Sequence, residues 1–351
     1  MNRLPDPDPS APRAGATIDD IARAAGVHPA TVSRALRGVA GKVSRDKRAE
    51  IERLARELGY QPNAVAASLR TRQTNIAAVV VPDIANPLFG PVVQGIESAL
   101  RAQRLMCLVA QTPQRPEERR ELALALANRQ VSGLLILAAE SDDPMLAVAR
   151  ERRLPTVLVN RGSGDRQFSS VVNDDRESVR LVLEHLAALG HRAIAHVAGP
   201  AASSTGRARR DAFNEQLRAL GLPPGRVVEA AAFTREAGRA AARELLQSQE
   251  RPTAVFAAND LIALGVLDEA RARGLRVPGE LSLVGHNDMP LVDLIDPPLT
   301  TVRVAVEQMS RQAAALFLEL LAEPALPVCT RLLMPALVVR ASTAPPPPAA
   351  A

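Results

Sequence analysis

The sequence predicts an N-terminal all-α helix-turn-helix head joined to an α/β body of two doubly wound parallel-sheet lobes. Three observations carry this. Residues 17–58 keep a helical period interrupted by a tight turn at Gly26 and Val27. From residue 75 onward, short β-branched runs alternate with amphipathic helices, the pattern of parallel sheets covered on both faces. That alternation then repeats in the same style from "RAIAHVAG" onward, as two similar lobes require.

Residues 1–16 are rich in Pro, Asp and Ser, lack the apolar core of a signal peptide, and read as a disordered arm. The head over 17–61 consists of "TIDDIARAAG", "PATVSRALRG" and "SRDKRAEIERLARELG" as three short helices. Thr17 caps the first, with Asp19 and Asp20 in its first turn, and Ser44 caps the third. Residues 62–74 follow, with Asn63 as a helix cap after Pro62 and the apolar run Ala64–Leu69 behind it. That run falls short of the ~12–15 residues an isolated helix needs in water.

The body runs from 75 to 342. Its first series is "NIAAVVVPD", a helix from Pro87, "LMCLVAQ", a helix from Pro116, "GLLILAA", a further helix and "PTVLVN". The second is "RAIAHVAG", "RVVEAA", "PTAVFAAND" and "LSLVGHND", each followed by a helix or loop. One lobe is expected over about 75–173 with 303–333, and the other over 174–302 with 334–342. The tail 343–351, "TAPPPPAAA", reads as disordered. Ligands of such sheets bind beyond the carboxyl ends of the strands, so the residues just after strands are the candidates for a site.

Apolar residues make up 47% of the 351 and charged ones 23%, ordinary for a soluble globular protein. Cys107 and Cys329 lie far apart in apolar runs and read as reduced core residues rather than a disulfide or metal pair. No run reaches the ~18 apolar residues of a membrane span, so a cytoplasmic protein with no membrane partner is expected. The net charge of +5 is concentrated. Residues 1–75 hold 13 Lys/Arg against 8 Asp/Glu, including both lysines, Lys42 and Lys47, while the remainder is balanced. A basic module beside a neutral body suggests a polyanion reader, although a solvated helical face can carry the same surplus.

Helix, tight turn, helix is the layout whose second helix enters the DNA major groove. In that helix Pro29 suits the first position, Val32, Ala35 and Leu36 can face a core, and Thr31, Ser33 and Arg34 are polar. Arg pairs with guanine O6 and N7, and Ser and Thr bond bases or phosphates. A purely structural three-helix bundle is the other reading of the same residues.

"TIDDIARAAGVHPATVSRALRG" followed by "VSRDKRAEIERLARELGYQPNAVAASLR" closely resembles the head of the lactose-repressor (LacI) family of bacterial transcription regulators. "VVVPDIANPLFGPVVQGIESAL", "AVFAANDLIALG" and "DPPLTTVR" continue the likeness, which covers about residues 17–342. The resemblance implies that Pro29 and Ala30 hold the recognition-helix positions that help choose the operator. Neither makes a bidentate base contact, so readout is expected from Arg34, Thr31 and an Ala30 contact to a thymine methyl. His28 stands where the family usually has a Ser or Thr cap, and a weaker helix start is expected there. The run after Pro62 takes the place of the family's hinge helix. Leu69 matches the residue that wedges into a central base step of the minor groove, and Arg70 its basic neighbour.

The body resembles periplasmic sugar-binding proteins, with a ligand between two lobes. The resemblance implies an effector set of Asn86, Phe89, Asn160 and Arg161 from the first lobe, and Arg207, Phe233, Asn259 and Asn287 from the second. An aromatic face with Asn and Arg forks is what paired hydroxyls need. Asn86 and Asn259 also read as helix caps, and Phe233 as core. Asn160 and Asn287 stand where neutral-sugar binders of this superfamily often carry Asp, while two arginines are kept. That balance favours a sugar acid or other hydroxylated carboxylate over a neutral sugar, unless Asp83 and Asp288 offset it.

No catalytic residues, cofactor or metal site are expected. "GVAGKVS" lacks the phosphate-loop spacing, "GSG" at 162–164 is a plain loop, and His185, His191 and His196 lack zinc-ligand spacing. The resemblance implies a regulator, by default a repressor, acting as a homodimer on a palindromic double-stranded operator. A sugar or sugar-acid effector would change its DNA affinity allosterically, in control of carbohydrate or hydroxy-acid catabolism genes. The tail after 342 has no Leu heptads, which argues against a coiled-coil tetramer.

Overall fold

The computed structural model describes residues 16–36, 43–60, 74–137, 139–140, 142–164, 167–248 and 251–348. The head and the body are separate units. The head consists of α1 (Ile18–Ala25), α2 (Pro29–Leu36) and α3 (Arg45–Glu57). Its core is small: Ile21, Ala22 and Ala25 of α1, Val32 and Ala35 of α2, and Ile51 and Ala55 of α3. Short alanines let the three helices approach closely, and the two isoleucines and the valine fill the centre. Gly26 ends α1 at φ +63°, a left-handed cap that lets α2 leave after two further residues. Residues 1–15 of the expected disordered arm and the whole segment 62–73 lie outside the described residues.

The body contains two six-stranded sheets. Lobe 1 holds β1 (Ile76–Val81), β2 (Met106–Gln111), β3 (Gly133–Ile136), β4 (Thr156–Asn160), β5 (Ser169–Asn173) and β11 (Thr330–Leu333). Their order is β11-β5-β4-β3-β1-β2, with every pair parallel. The "IAAVVV" run of β1 explains the layering. Ala77, Val79 and Val81 face one core with α4 (Phe89–Ala102) and α11 (Val306–Ala322). Ala78 and Val80 face the other, with α5 (Pro116–Asn128) and α6 (Pro144–Glu151). A strand buried on both faces must be apolar at consecutive positions, and this one is.

Lobe 2 holds β6 (Ile194–Ala198), β7 (Val227–Glu229), β8 (Ala254–Ala257), β9 (Ser282–Asn287), β10 (Thr300–Arg303) and β12 (Ala336–Val338). The order is β12-β10-β9-β8-β6-β7, and only β12 runs antiparallel. α9 (Arg235–Leu246) and α10 (Asp260–Ala272) cover one face, α7 (Asp175–Ala188) and α8 (Ser204–Ala219) the other. The chain crosses between lobes three times, after β5, after β10 and after β11. In each sheet the strand order reverses beside the first strand, β1 or β6, which opens a crevice at the carboxyl ends of the strands.

Four details differ from expectation. The first body helix begins at Phe89, not Pro87, because Asp83–Leu88 form turns closed by Asn86. "SSVVN" forms a central strand, β5, that the sequence pattern did not announce. Cys329 is exposed just before the edge strand β11, and Cys107 is only half-buried, so neither is a core residue. The tail is ordered through 348. Thr343 Oγ1 bonds His185 Nε2 at 3.0 Å and Thr300 Oγ1 at 3.2 Å. The Ala344 N–H donates to Ser282 Oγ at 3.0 Å. Side chains of lobe 2 thus supply the partners that a Pro/Ala-rich tail cannot supply to itself.

Candidate functional site: the head and the cleft

In the head, Thr17 and Asp20 form a reciprocal capping box. Thr17 Oγ1 accepts from the Asp20 N–H at 3.3 Å and the Asp20 carboxylate accepts from the Thr17 N–H at 2.9 Å. The Thr17 hydroxyl, which donates to the Asp20 carboxylate at 2.7 Å, and then the Thr17 N–H hold the Asp20 carboxyl below its usual range. Val32 and Ala35 anchor α2 in the core, which leaves Arg34 exposed and Pro29, Ala30, Thr31 and Ser33 partly so. The start of α2 is better held than expected. Pro29 has no N–H, so the first donor is Ala30, and it donates to His28 Nδ1 at 3.2 Å. The His28 carbonyl accepts the Thr31 N–H at 2.8 Å. The imidazole thus does the work of the missing hydroxyl, in the tautomer with Nδ1 unprotonated. Asn63, Leu69 and Arg70 lie outside the described residues.

A cleft of about 380 Å³ lies between the lobes of the body, within the range of small-molecule sites. It gathers Asn86, Phe89, Asn160, Arg161, Phe233, Asn259 and Asn287. Several of these residues also serve the fold. Asn86 Oδ1 accepts the Leu88 N–H at 3.1 Å, and Phe89 is packed into the lobe 1 core. Asn259 caps α10, accepting the Ile262 N–H at 2.8 Å. Asn160 and Asn287 end their strands at φ +67° and +120°, backbone positions that Asn tolerates better than most residues. Phe233 lies against Gly199, where a β-carbon would come within 2.3 Å of its ring.

Arg207 does not line the cleft. Ser203 caps α8, and residues 207 and 209 then point about 200° apart on the helix. Arg207 turns back to the Ala201 carbonyl at 2.5 Å, and Arg209 is the guanidinium that enters the cleft. The helical phase carried this signal. Thr205, Gly206, Arg209, Ala212 and Phe213 form the buried stripe of α8, and Arg207 is off it.

Arg119, Glu140, Gln111, Gln114, Ser203, Thr205 and Thr234 also line the cleft and were not foreseen. Its arginines differ in their partners. Arg119 binds Glu140 at 2.7 Å and reaches Asp143 at 3.5 Å. Arg209 binds Asp175 at 2.8 Å and also donates to the Ala258 carbonyl. Arg161 makes no hydrogen bond or ion pair among the described residues. Its Nε is sealed from solvent without a partner, and its guanidinium lies 4.6 Å above the Phe233 ring centre. Burial, and then the nearby Arg209 charge, lower its pKa to about 10, so it stays protonated at neutral pH. Asp288, a possible offset to this charge, is bound instead to Arg303 and Arg340, both at 2.7 Å.

The model of "Bacterial regulatory proteins, lacI family" matches residues 17–63, and that of "Periplasmic binding protein-like domain" matches 183–343. The HTH-type transcriptional repressor CytR of Escherichia coli (strain K12) is 31% identical over 331 residues, 93% of this chain and 96% of CytR. The chain belongs to the LacI family. A LacI-family structure, the lac repressor dimer bound to operator and the anti-inducer ONPF, superposes with TM-score 0.83 at 28% identity, covering 94% of this chain and all of that one. The CelR–cellobiose complex superposes with TM-score 0.72 at 32% identity, covering 93% of this chain and 99% of that one. The protein is thus a helix-turn-helix transcriptional regulator with a periplasmic-binding-protein-like body, and not an enzyme. Among the described residues no helix is long and apolar enough to cross a membrane, and no cluster could hold a metal ion.

Proposed function

We propose that this LacI-family regulator is a dimeric repressor that holds a palindromic operator until a small hydroxylated effector in the cleft changes its DNA affinity. The observation that carries this is a polar, aromatic-floored cleft between two lobes, in the same chain as a capped helix-turn-helix head. Residues 17–61 would read DNA, with Arg34 and Thr31 as the base-contacting candidates and Ser33 on phosphate. Residues 62–74 would act as the hinge, with Leu69 as its wedge and Arg70 beside it. Operator binding places the protein in the cytoplasm. The relatives' names support repression and a sugar-like effector, and control of carbohydrate or hydroxy-acid genes follows from that chemistry.

A dimer is supported by apolar side chains that a monomer would leave wet. Met106 and Val109 of the edge strand β2 are 67% and 45% exposed, Ile84 is 62%, and Leu291 and Leu294 of lobe 2 are 67% and 76%. Effector control requires that the ligand bind one lobe arrangement better than the other, and a cleft lined from both lobes meets that need.

Fluorescence anisotropy with the palindrome nearest the gene tests the reading. Nanomolar binding is expected, with half-site DNA much weaker and a shift on adding the effector. Affinity for that palindrome equal to that for random DNA would sink it. Leu69→Ala is expected to weaken operator binding by about 10-fold or more and leave effector affinity unchanged. Equal operator affinity in the variant would remove the wedge from the mechanism.

A further inference from the structure

The cleft holds three guanidinium groups, and among the described residues only two have carboxylate partners. Glu140 and Asp143 hold Arg119, and Asp175 holds Arg209. Arg161 is the third. A guanidinium offers five N–H donors and accepts nothing, so a dry, unbonded Nε marks a place where an acceptor is missing. The Phe233 ring beneath it attracts the charge but takes up none of its in-plane donors. Glu140 and Asp175 raise the Arg161 pKa from a distance, yet both are already committed to other arginines. Asp83 also lines the cleft and accepts the Ala85 N–H at 2.9 Å, but forms no pair with Arg161.

We propose that the effector is a small hydroxylated carboxylate, and that its carboxylate pairs with the Arg161 guanidinium. This rests on the effector reading above and names its ligand class. The Phe233 ring, 4.6 Å from the guanidinium carbon, holds the cation in place before a ligand arrives, and a guanidinium so held offers a carboxylate a two-bond match. Gly199 makes this contact possible by leaving room for the ring. Arg161 follows β4 in lobe 1 and Phe233 follows β7 in lobe 2, so a carboxylate seated there engages the contact between the lobes. The ligand's hydroxyls then meet the amides and hydroxyls of the remaining walls, among them Gln114, Thr234 and Asn259.

The test uses full-length protein and thermal shift with matched pairs at millimolar concentration: D-gluconate with D-glucose, D-galactonate and D-galacturonate with D-galactose, and D-xylonate with D-xylose. At least one acid is expected to raise Tm where its neutral partner does not. Titration of that acid should show R161Q binding it about 30-fold or more weakly, with R161K in between because lysine keeps the charge and loses the paired geometry. A neutral sugar that stabilises more than its acid overturns the proposal. So does a panel in which no acid stabilises, or an R161Q protein that binds the acid as wild type does. If R161Q does not fold, R161K carries the test, and unchanged acid affinity there overturns it. Operator anisotropy in the same samples separates the two readings. A neutral sugar that alters operator affinity keeps the regulator and removes the carboxylate, whereas loss of specific operator binding removes the regulator itself.

Discussion

The two lobes share a strand order and differ in what they bury. Lobe 1 is layered with Val, Leu and Ala, and Asp143 is its one fully buried ionisable side chain among the described residues. Lobe 2 buries Arg209, Asp260, Glu269, His191, His196 and His286. The contrast continues into the cleft. Lobe 2 presents Arg209 already tied to Asp175 and the Ala258 carbonyl, while lobe 1 presents Arg161 with nothing tied to it. The lobe 2 wall is tied before a ligand arrives, whereas the lobe 1 wall holds one tied arginine, Arg119, and one, Arg161, left for the ligand to complete. The same topology therefore carries one wall that is fully tied and one that is partly open for binding.

The largest effect should come from breaking the pair that ties the lobe 2 wall. Arg209 is 3% exposed, so Asp175→Ala leaves a buried cation without its anion and is expected to cost about 3–5 kcal/mol in urea denaturation. Arg161→Met removes a charge with no partner to strand, and should change stability by less than about 1 kcal/mol or raise it. Equal losses for the two variants would erase the distinction between the walls.

Acid should act on lobe 2 first. Burial is the main cause that lowers the His196 pKa to about 4, against an ordinary value of 6.5, with a smaller opposing effect from its bond to the Phe256 carbonyl. The His286 pKa is also lowered, again chiefly by burial. The folded state thus binds fewer protons than the unfolded chain between these values. The His196 contribution is complete above about pH 6.5 and is lost as pH falls towards 4, by roughly 3 kcal/mol, while Asp260 in the same lobe, pushed up to about 6 chiefly by burial, takes up a proton in the folded state and offsets part of that loss. Lobe 1 strands contain no histidine. Hydrogen exchange at pH 5 against pH 7, corrected for intrinsic rates, should show protection falling in β6 and β9 before β1 and β3. Uniform loss across both sheets would contradict the comparison.

A smaller effect is expected at the aromatic floor. Gly199→Ala places a methyl 2.3 Å from the Phe233 ring and forces it to move, at about 1–3 kcal/mol of stability. Effector affinity should fall with it, because the ring no longer underlies Arg161. Unchanged affinity, measured calorimetrically, would mean that Arg161 is oriented by something other than the ring.

Much of this contrast was legible in the sequence, and the rest had a physical reason for hiding. The "NIAAVVVPD" and "PTAVFAAND" runs announce strands because burial on both faces demands consecutive apolar residues. β5 and β11 escape because they are short and partly polar, and pair with each other across an intervening lobe, with Ser170 Oγ bonded to Thr330 Oγ1 at 3.1 Å. Seven of the eight residues that the family resemblance carried into the cleft line it. Arg207 does not, because it sits on α8, where helical phase decides which side chain faces inward. The Arg119–Glu140 pair could not be read at all, since its members come from different elements brought together only by the sheet.

The smallest predicted effect concerns the strap that the tail lays over lobe 2 alone. Ser342 Oγ donates to the Leu283 carbonyl at 2.6 Å and accepts the Thr300 N–H at 2.8 Å, so one buried hydroxyl joins the tail to β9 and β10. Ser342→Ala leaves both backbone groups without that partner and is expected to cost about 1–2 kcal/mol. Because both groups belong to lobe 2, exchange should rise in β9 and β10 and stay level throughout lobe 1. A rise that reached β4 and β5 equally would mean that the lobes unfold as one unit, and that the buried polar network of lobe 2 steadies the open wall as well as its own.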